Sequence, residues 1–551
     1  MTNKQILKVH PTDDMIVALV DLPVGETVEY EGETYHIRET IPAKHKFAAR
    51  DFAPGEGLHM YGVLVGKAVE PIAKGALIST RNLKHAATPY SAKTKSYEWT
   101  PPDVSKWQHR TFMGYHRTDG RVGTANYWLF IPTVFCENRN LDVIREALEK
   151  ELGYAKTGKY KDFASRLVHM YQEGMSTDEI RTTELRLEEK DIPAQRVFPN
   201  LDGIKFLTHQ GGCGGTRQDS NVLSRLLAAY ANHPNVAGVT VLSLGCQHLQ
   251  LEDFRRDVYN LNPAFDKPLL MFEQQKSGTE DALLAEAIRQ TFAAMAEANR
   301  QERAPAPLSK LVLGVKCGGS DGFSGISANP AVGYAADLLV ALGGSVLLAE
   351  FPELCGVEQE MTDRCVDQTT ANKFIQLMKA YSAQAEAVGS GFDANPSPGN
   401  IKDGLITDAI KSAGAAKKGG TSPVTDVLDY TEPVRKPGLN LVCTPGNDVE
   451  ATTGKAGSGA TLILFTTGLG TPTGNPVCPV IKVATNTRLA QRMPDIIDID
   501  TGSIITGEDT IESKAEEILE YCIRAASGEI LPKAVQLGQD DFIPWKRGVS
   551  L

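Results

Sequence analysis

Apolar runs that empty into glycine turns, each followed by a helical segment, constrain this chain more than any other feature. YWLFIPTVF leads into LDVIREALEKEL, GIKFLTHQ leads through a glycine turn into NVLSRLLAAYANH, and SKLVLGV leads through KCGGSDGFSG towards AVGYAADLLVALG. Strand and helix alternating in this way is the grammar of a parallel sheet. VAGVTVLSLGC, GSVLLAEF, LNLVCTPG and ATLILFTTG extend the series. The expected fold class is therefore α/β, multidomain, with mainly parallel sheets.

The first 90 residues follow a different rule. MIVALVDL, PVGETVEY, YHIRETI, GVLVGKAV and GALIS are short and broken by turns, so residues 1–90 are expected to form a small β module. Residues 91–110 are polar, proline-bearing and aperiodic, the mark of a linker. Residues 111–304 form a first α/β unit with a charged helical insertion at about 156–195, and RAPAPL marks the boundary to a second unit, 305–551. A chain of 551 residues is too long for one core. Its formal charge of -11 offers no basic footprint for nucleic acid, which leaves a small molecule as the expected partner. No apolar run approaches the roughly 20 residues of a membrane span, and the N-terminus lacks signal-peptide sections, so no membrane partner and a cytoplasmic location are expected. A homo-oligomer is compatible with this composition.

Three turns share one design: LTHQGGCGG, VLSLGCQH and VLGVKCGGSDGFSG put Cys213, Cys246 and Cys317 at strand ends, with Cys136 of IPTVFC as a fourth. Ligands bind outside the carboxyl ends of parallel strands. A cysteine there is either a thiolate ligand or a small buried hydrophobe. No CxxC pair supports a structural zinc site, and an iron–sulfur site requires the strands to converge. GGCGGTRQD matches neither a Walker A loop nor a full dinucleotide fingerprint. His10 and His45 have carboxylate or lysine neighbours that suit metal binding or proton transfer, or they are simply solvated. Solvated loops are the expectation for His209, His233 and His248, with HPN ending a helix. GYHRTDGRVGTAN gathers Arg117, Asp119, Arg121 and Asn126, a carboxylate grip or a charged hairpin loop. NPSPGN, TPGND, FTTGLGTPTGNP and KVATNT are rich in hydroxyls and amides, which suits a polyhydroxylated ligand.

The order HPTDD, KHKFAARD, GYHRTDGRVGTAN, THQGGCGG, HPNVAGVTVLSLGCQ, KCGGSDGFSGISANPAVG, NPSPGN, TPGND and FTTGLGTPTGNP resembles the altronate and galactarate dehydratase family over nearly the whole chain. The resemblance implies an N-terminal β-clip module of the SAF type, two α/β dehydratase domains, and removal of water from a sugar acid to give a 2-keto-3-deoxy acid. It also implies a divalent metal, Fe2+ first and Mn2+ second; an iron–sulfur cluster held by three of the cysteines is the alternative cofactor that the residues themselves offer. Altronate is the expected substrate; galactarate, a sulfolactate-like substrate, or sugar-acid binding without catalysis are the alternatives. The roles expected of the residues for that chemistry are catalysis by His45, Arg117, Arg121, Ser320 and Asp321, substrate contact by Asn126, Cys213, Asn329 and Asn447, and metal binding by His10, His45 and Cys317. The chain departs from the expected tract GEWVHTHN, having GALISTRN with Ser79 and Arg81 at two histidine positions, and His59 and Met60 stand before Tyr61.

Overall fold

The computed structural model describes residues 4–156, 158–185, 195–392 and 395–547, so part of the expected helical insertion lies outside the described residues. Between Ile6 and Lys84 run the short strands β1–β9. An antiparallel sheet joins β1 (Ile6–Leu7), β2 (Met15–Ala18), β5 (Lys46–Ala48) and β8 (Leu77–Ile78). Ile16, Ala18 and Phe47 of this sheet pack with Tyr35 and Ile41 in a small core. The segment that follows is a strap on the C-terminal unit. Thr94 N–H donates to Asp363 Oδ1 at 2.7 Å, Tyr97 O–H donates to the Thr421 carbonyl at 2.6 Å, and Trp107 is buried.

In the first α/β unit, β10 (Thr111–His116) forms a hairpin with β11 (Val122–Gly123), and its other edge pairs with β16 (Ala304–Pro307). The boundary segment RAPAPL thus folds back as a strand beside the start of the unit. The parallel sheet has the order β13 (Gly203–Phe206), β12 (Tyr127–Pro132), β14 (Val236–Ser243), β15 (Leu269–Glu273). Every residue of β12 and β14 is buried, as expected of parallel strands covered on both faces. The insertion carries helices Lys159–Gln172 and Thr177–Arg181, neither with a buried residue.

The C-terminal unit is a seven-stranded, fully parallel sheet. β17 (Val312–Cys317), β18 (Ser345–Ala349), β19 (Val424–Leu428), β20 (Gly438–Val442), β21 (Leu462–Thr467), β22 (Val480–Ala484) and β23 (Ile499–Asp500) lie in the order β19-β20-β18-β17-β21-β22-β23. From β17 the chain builds outward through β18, then returns to the other side at β21. In the first sheet the same reversal falls between β12 and β14. Such reversals open crevices at the carboxyl ends of the strands, because the two connections leave in opposite directions.

One apolar core runs through both α/β units, with Leu226 and Tyr230 of the first packed with Ala456, Ile463 and Phe465 of the second. The C-terminal tail closes the seam: Phe542 meets Tyr230 edge-on at 5.1 Å, Trp545 meets Tyr430 at 5.4 Å, and Asp540 pairs with Lys205 at 2.6 Å. Among the described residues no helix is long and apolar enough to cross a membrane.

Candidate active site

The turn after β17 occupies the crevice of the seven-stranded sheet. A Cβ on Gly318 would lie 2.5 Å from Asp448 Oδ2, and one on Gly319 would lie 2.7 Å from Thr471 Oγ1. Only glycines let the chain thread between those two loops. Beyond them Asp321 is fully buried. Its carboxylate accepts from Phe323 N–H at 3.2 Å, from the hydroxyls of Ser324 and Thr485 at 3.1 Å each, and from Asn486 Nδ2 at 3.3 Å.

The cation that completes Asp321 comes from the β module. Lys44 Nζ lies 3.0 Å from Asp321 Oδ2 and 3.1 Å from Asp403 Oδ1. Lys44 has the left-handed φ of 75°, and its carbonyl presses on Gly322 and Gly404, where a Cβ would come within 2.4 Å. Lys46 Nζ donates to the Gly404 carbonyl at 2.6 Å, and burial pushes its pKa down to about 7. His45 between them is half-buried. Its Nδ1 lies 3.3 Å from the Ala43 carbonyl, which fixes the tautomer that leaves Nε2 as an acceptor. Burial, with the neighbouring Lys46 and Lys44, holds its pKa below the ordinary histidine value, so the ring is neutral at pH 7.

Beneath the turn lies a cluster of buried charge. Lys316, on β17, pairs with Glu350 and, at 2.8 Å, with Asp448. Lys418 lies 3.4 Å from Glu350 and 3.8 Å from Glu353, and Lys411 pairs with Glu353 at 3.1 Å. Burial opposes the charge on Lys316, but Glu350, Asp448 and Glu353 outweigh it and keep the ammonium well above its ordinary range. Burial likewise opposes the Glu353 carboxylate, and Lys411, Lys316 and Lys418 overcome it, holding its pKa well below the usual range. Lys455 differs: its Nζ is 3.8 Å from Glu350, has no hydrogen-bond partner, and burial pushes its pKa down to about 8. Four lysines face three carboxylates, leaving one positive charge for an anionic ligand. Ser320 Oγ and Glu350 Oε2 are also buried without a hydrogen-bond partner. Orphaned polar atoms beside excess charge mark a place for a polar ligand.

The structure brings His45, Ser320, Asp321 and Cys317 to this cleft, holds Asn329 and Asn447 in hydrogen bonds at its walls, and takes the arginines and Asn126 to the first α/β unit. Arg117 donates to the Pro234 carbonyl at 2.7 Å and to Asn126 Oδ1 at 2.9 Å, while Arg121 pairs with Asp119 at 2.6 Å. Both close the β10–β11 hairpin beside the amino ends of the strands, far along the sheet from Asp321, so the hairpin reading describes them. Asn126 is buried in that bonding and donates to the Asn200 carbonyl at 2.9 Å. Asn329 accepts from Thr466 Oγ1 at 2.6 Å and donates to the Gly414 carbonyl, and Asn447 caps the helix Asp448–Gly457. Cys213 is exposed on the first unit.

The expected metal ligands do not meet. His10 bonds Thr12 at 2.8 Å on the β module, and Cys317 is buried with its Sγ accepting from Lys418 at 3.3 Å. Among the described residues, the group whose ligand atoms all lie within 4.8 Å of one another is His85, Cys355 and Asp408. His10, His45 and Cys317 therefore do not fit a single metal ion, and no chemical step is derived through one. Ser79 and Arg81 cap a surface turn, with Arg81 paired to Glu70 at 3.1 Å. His209 and His233 are corrected from solvated to buried. Their Nε2 atoms bond the Pro132 and Ala460 carbonyls at 2.8 Å each, and burial pushes their pKa values down to about 4 and about 3.

Sequence reasoning missed Lys44, Asp403, Lys316, Glu350, Glu353, Lys418 and Lys455. The available signal was a charge inside an apolar run: lysine in VLGVKC, glutamate in VLLAEF. A fully buried charge is rare unless paired, so such residues point to partners the sequence does not name.

The comparisons with known proteins agree along the whole chain. Family models match residues 4–86 (altronate/galactarate dehydratase SAF domain), 114–299 (D-galactarate dehydratase/altronate hydrolase, second domain) and 308–550 (D-galactarate/altronate dehydratase, C-terminal). The chain is 32% identical to the altronate dehydratase of Escherichia coli K12 over 95% of its own length and 96% of the relative. It is also 32% identical to the altronate dehydratase of Bacillus subtilis 168 over 100% of both chains. The galactarate dehydratase (L-threo-forming) of Escherichia coli K12 is 30% identical over 95% of this chain and 93% of the relative.

Proposed function

Because this chain belongs to the altronate/galactarate dehydratase family, we propose that it is a hydro-lyase that removes water from a sugar acid, altronate first, to give a 2-keto-3-deoxy acid. The observation that carries this reading is the buried, net-positive lysine cluster with orphaned Ser320 Oγ and Lys455 Nζ in the crevice of the parallel sheet.

Loss of water from an aldonate begins with the proton on C2. Its removal puts a second negative charge beside the carboxylate, so the site must supply fixed positive charge. Lys44 and the lysine excess under the turn supply it. His45, neutral at pH 7 with Nε2 as the acceptor, takes the C2 proton. The C3–O bond then breaks as the departing hydroxide takes from His45 the proton removed from C2, which gives water and a neutral ring, and the enol left at C2 tautomerises to the ketone. Asp321 holds Lys44 in place, and Ser320 Oγ donates to a substrate oxygen.

The test is a screen of aldonates and aldarates with the anaerobically purified chain, reading 2-keto-3-deoxy product. Formation from altronate is expected. Product only from an aldarate would move the substrate to galactarate, and binding without turnover of any sugar acid would reject the hydro-lyase reading.

A further inference from the structure

Cys136, Cys213 and Cys246 are the exposed cysteines of the chain; the other six are buried or half-buried. Each ends a different loop at the carboxyl edge of the first parallel sheet, after β12, β13 and β14. These loops are stitched together. Phe135 N–H donates to the Gly211 carbonyl at 3.1 Å, and His248 N–H donates to the Gly212 carbonyl at 3.0 Å. Gly212, with φ 96°, lies against the Cys136 loop, where a Cβ would come 2.1 Å from the Thr133 carbonyl. The residue next to Cys213 is thus bonded or packed to both of the other cysteine loops, at the reversal of strand order between β12 and β14.

We propose that Cys136, Cys213 and Cys246 together hold an iron–sulfur cluster, with three thiolates binding three irons and the fourth iron left open to solvent or substrate. Three thiols cannot all be consumed in disulfides with one another, and exposure excludes core filling. A tetrahedral zinc site is disfavoured, because it would draw its ligand atoms close together, and the group that lies within 4.8 Å among the described residues is elsewhere, at His85, Cys355 and Asp408. A cluster spaces its thiolates more widely, since each binds a different iron. Gly211, Gly212, Gly214 and Gly215 flank Cys213 in sequence and Gly245 precedes Cys246, with positive φ at Gly212, Gly214 and Gly245. Such turns expose backbone N–H groups, which suit an anionic cluster.

Cys213 also lines a cavity of about 500 Å³ whose far wall includes Glu450 and Trp545. Glu450 stands two residues from Asp448, the partner of Lys316. The cavity therefore leads from the cysteines towards the C-terminal unit. The role of the open iron rests on the reading as a hydro-lyase: it would supply a Lewis acid for a departing hydroxyl group. The cluster itself does not rest on that reading.

The full chain, purified anaerobically and reconstituted with ferrous iron and sulfide, tests the site without turnover. Iron and acid-labile sulfide are expected in equal amounts, about four of each per chain, with broad visible absorbance. Brief air oxidation should give the paramagnetic three-iron form that loss of an open iron produces. Cys136→Ser, Cys213→Ser and Cys246→Ser should each lose the labile sulfide while keeping the far-UV spectrum, and Cys522→Ser should retain both. Iron without labile sulfide, zinc in its place, or Cys→Ser variants that keep the whole cluster would each overturn the proposal. A fully loaded cluster with no turnover of any sugar acid would leave the site standing and sink the hydro-lyase reading instead.

Discussion

His45 and Lys44 are neighbours in the chain with different tasks at the cleft. Lys44 is locked between Asp321 and Asp403, whereas the His45 ring has one weak bond to its own loop and a pKa lowered by burial. His45→Gln keeps the size and the hydrogen bond but removes the base. kcat should fall about 10²- to 10⁴-fold with an unchanged melting temperature; full activity would remove the assignment. A neutral-ring base also predicts an acid limb of kcat/KM below the ordinary histidine value. Lys455 makes the opposite case. Its amine is charged below about 8 and neutral above it, so the positive excess disappears as pH rises. KM for an anionic substrate should therefore climb above about pH 8. Lys455→Met should abolish that dependence at little cost in stability, because an apolar side chain replaces a buried cation that has no hydrogen-bond partner.

Among the turns, the one after β13 is held by a neutral histidine. His209 Nε2 donates to the Pro132 carbonyl, and Nδ1 accepts from Gly211 N–H at 3.1 Å, so one ring anchors both ends of the approach to Cys213. Its pKa falls from an ordinary value near 6.5 to about 4 on folding. The unfolded chain binds the proton first. The stabilisation is complete above about pH 6.5 and is lost as pH falls towards 4, a total on the order of 3 kcal/mol. Protection of the amides across residues 209–215, corrected for the intrinsic exchange rate at each pH, should fall over that window in wild type; unchanged protection would show that the ring does not hold the loop. The turn after β18 carries a different constraint. Glu350 adopts the left-handed φ of 74°, unusual for a side chain with a Cβ, and thereby aims its carboxylate at Lys316 and Lys418.

Across the molecule, the β module docks through an apolar face, with Leu58, Met60, Tyr61 and Val65 packed in one core with Phe323, Ile326 and Ile410, and through a charge at the cleft. Asp321→Asn would leave Lys44 with Asp403 alone and break a pair whose carboxylate is fully buried. Breaking such a pair costs about 3–5 kcal/mol. Urea denaturation should show that loss, and protease should cut the strap between the module and the first α/β unit sooner than in wild type. Unaltered stability would mean that the Lys44 contact is incidental to docking.

Much of the architecture was legible because it rests on local rules. Apolar runs of five to eight residues, glycine turns and intervening helices announce parallel α/β sheets, and the short turn-broken strands announce the β module. The linker sequence gave no sign that it would pack as a strap, since its contacts, such as Thr94 with Asp363, span 269 residues. Arg117 and Arg121 misled for the same reason: two arginines near a glycine turn suit a carboxylate in any chain, and only the distant Pro234 and Asn232 carbonyls decide that they brace a hairpin. The sequence by itself determined the strand-end turns, including the glycines that let KCGGSDGFSG thread its crevice and the cysteines beside them. Only the tertiary structure decided which turns share a crevice, that Lys44 from the β module completes Asp321, and that Cys317 is buried under lysine while Cys136, Cys213 and Cys246 are exposed on loops bonded to one another. The physical reason is that glycine freedom and strand periodicity act within a few residues, whereas a buried charge is satisfied by whichever partner the packing brings to it.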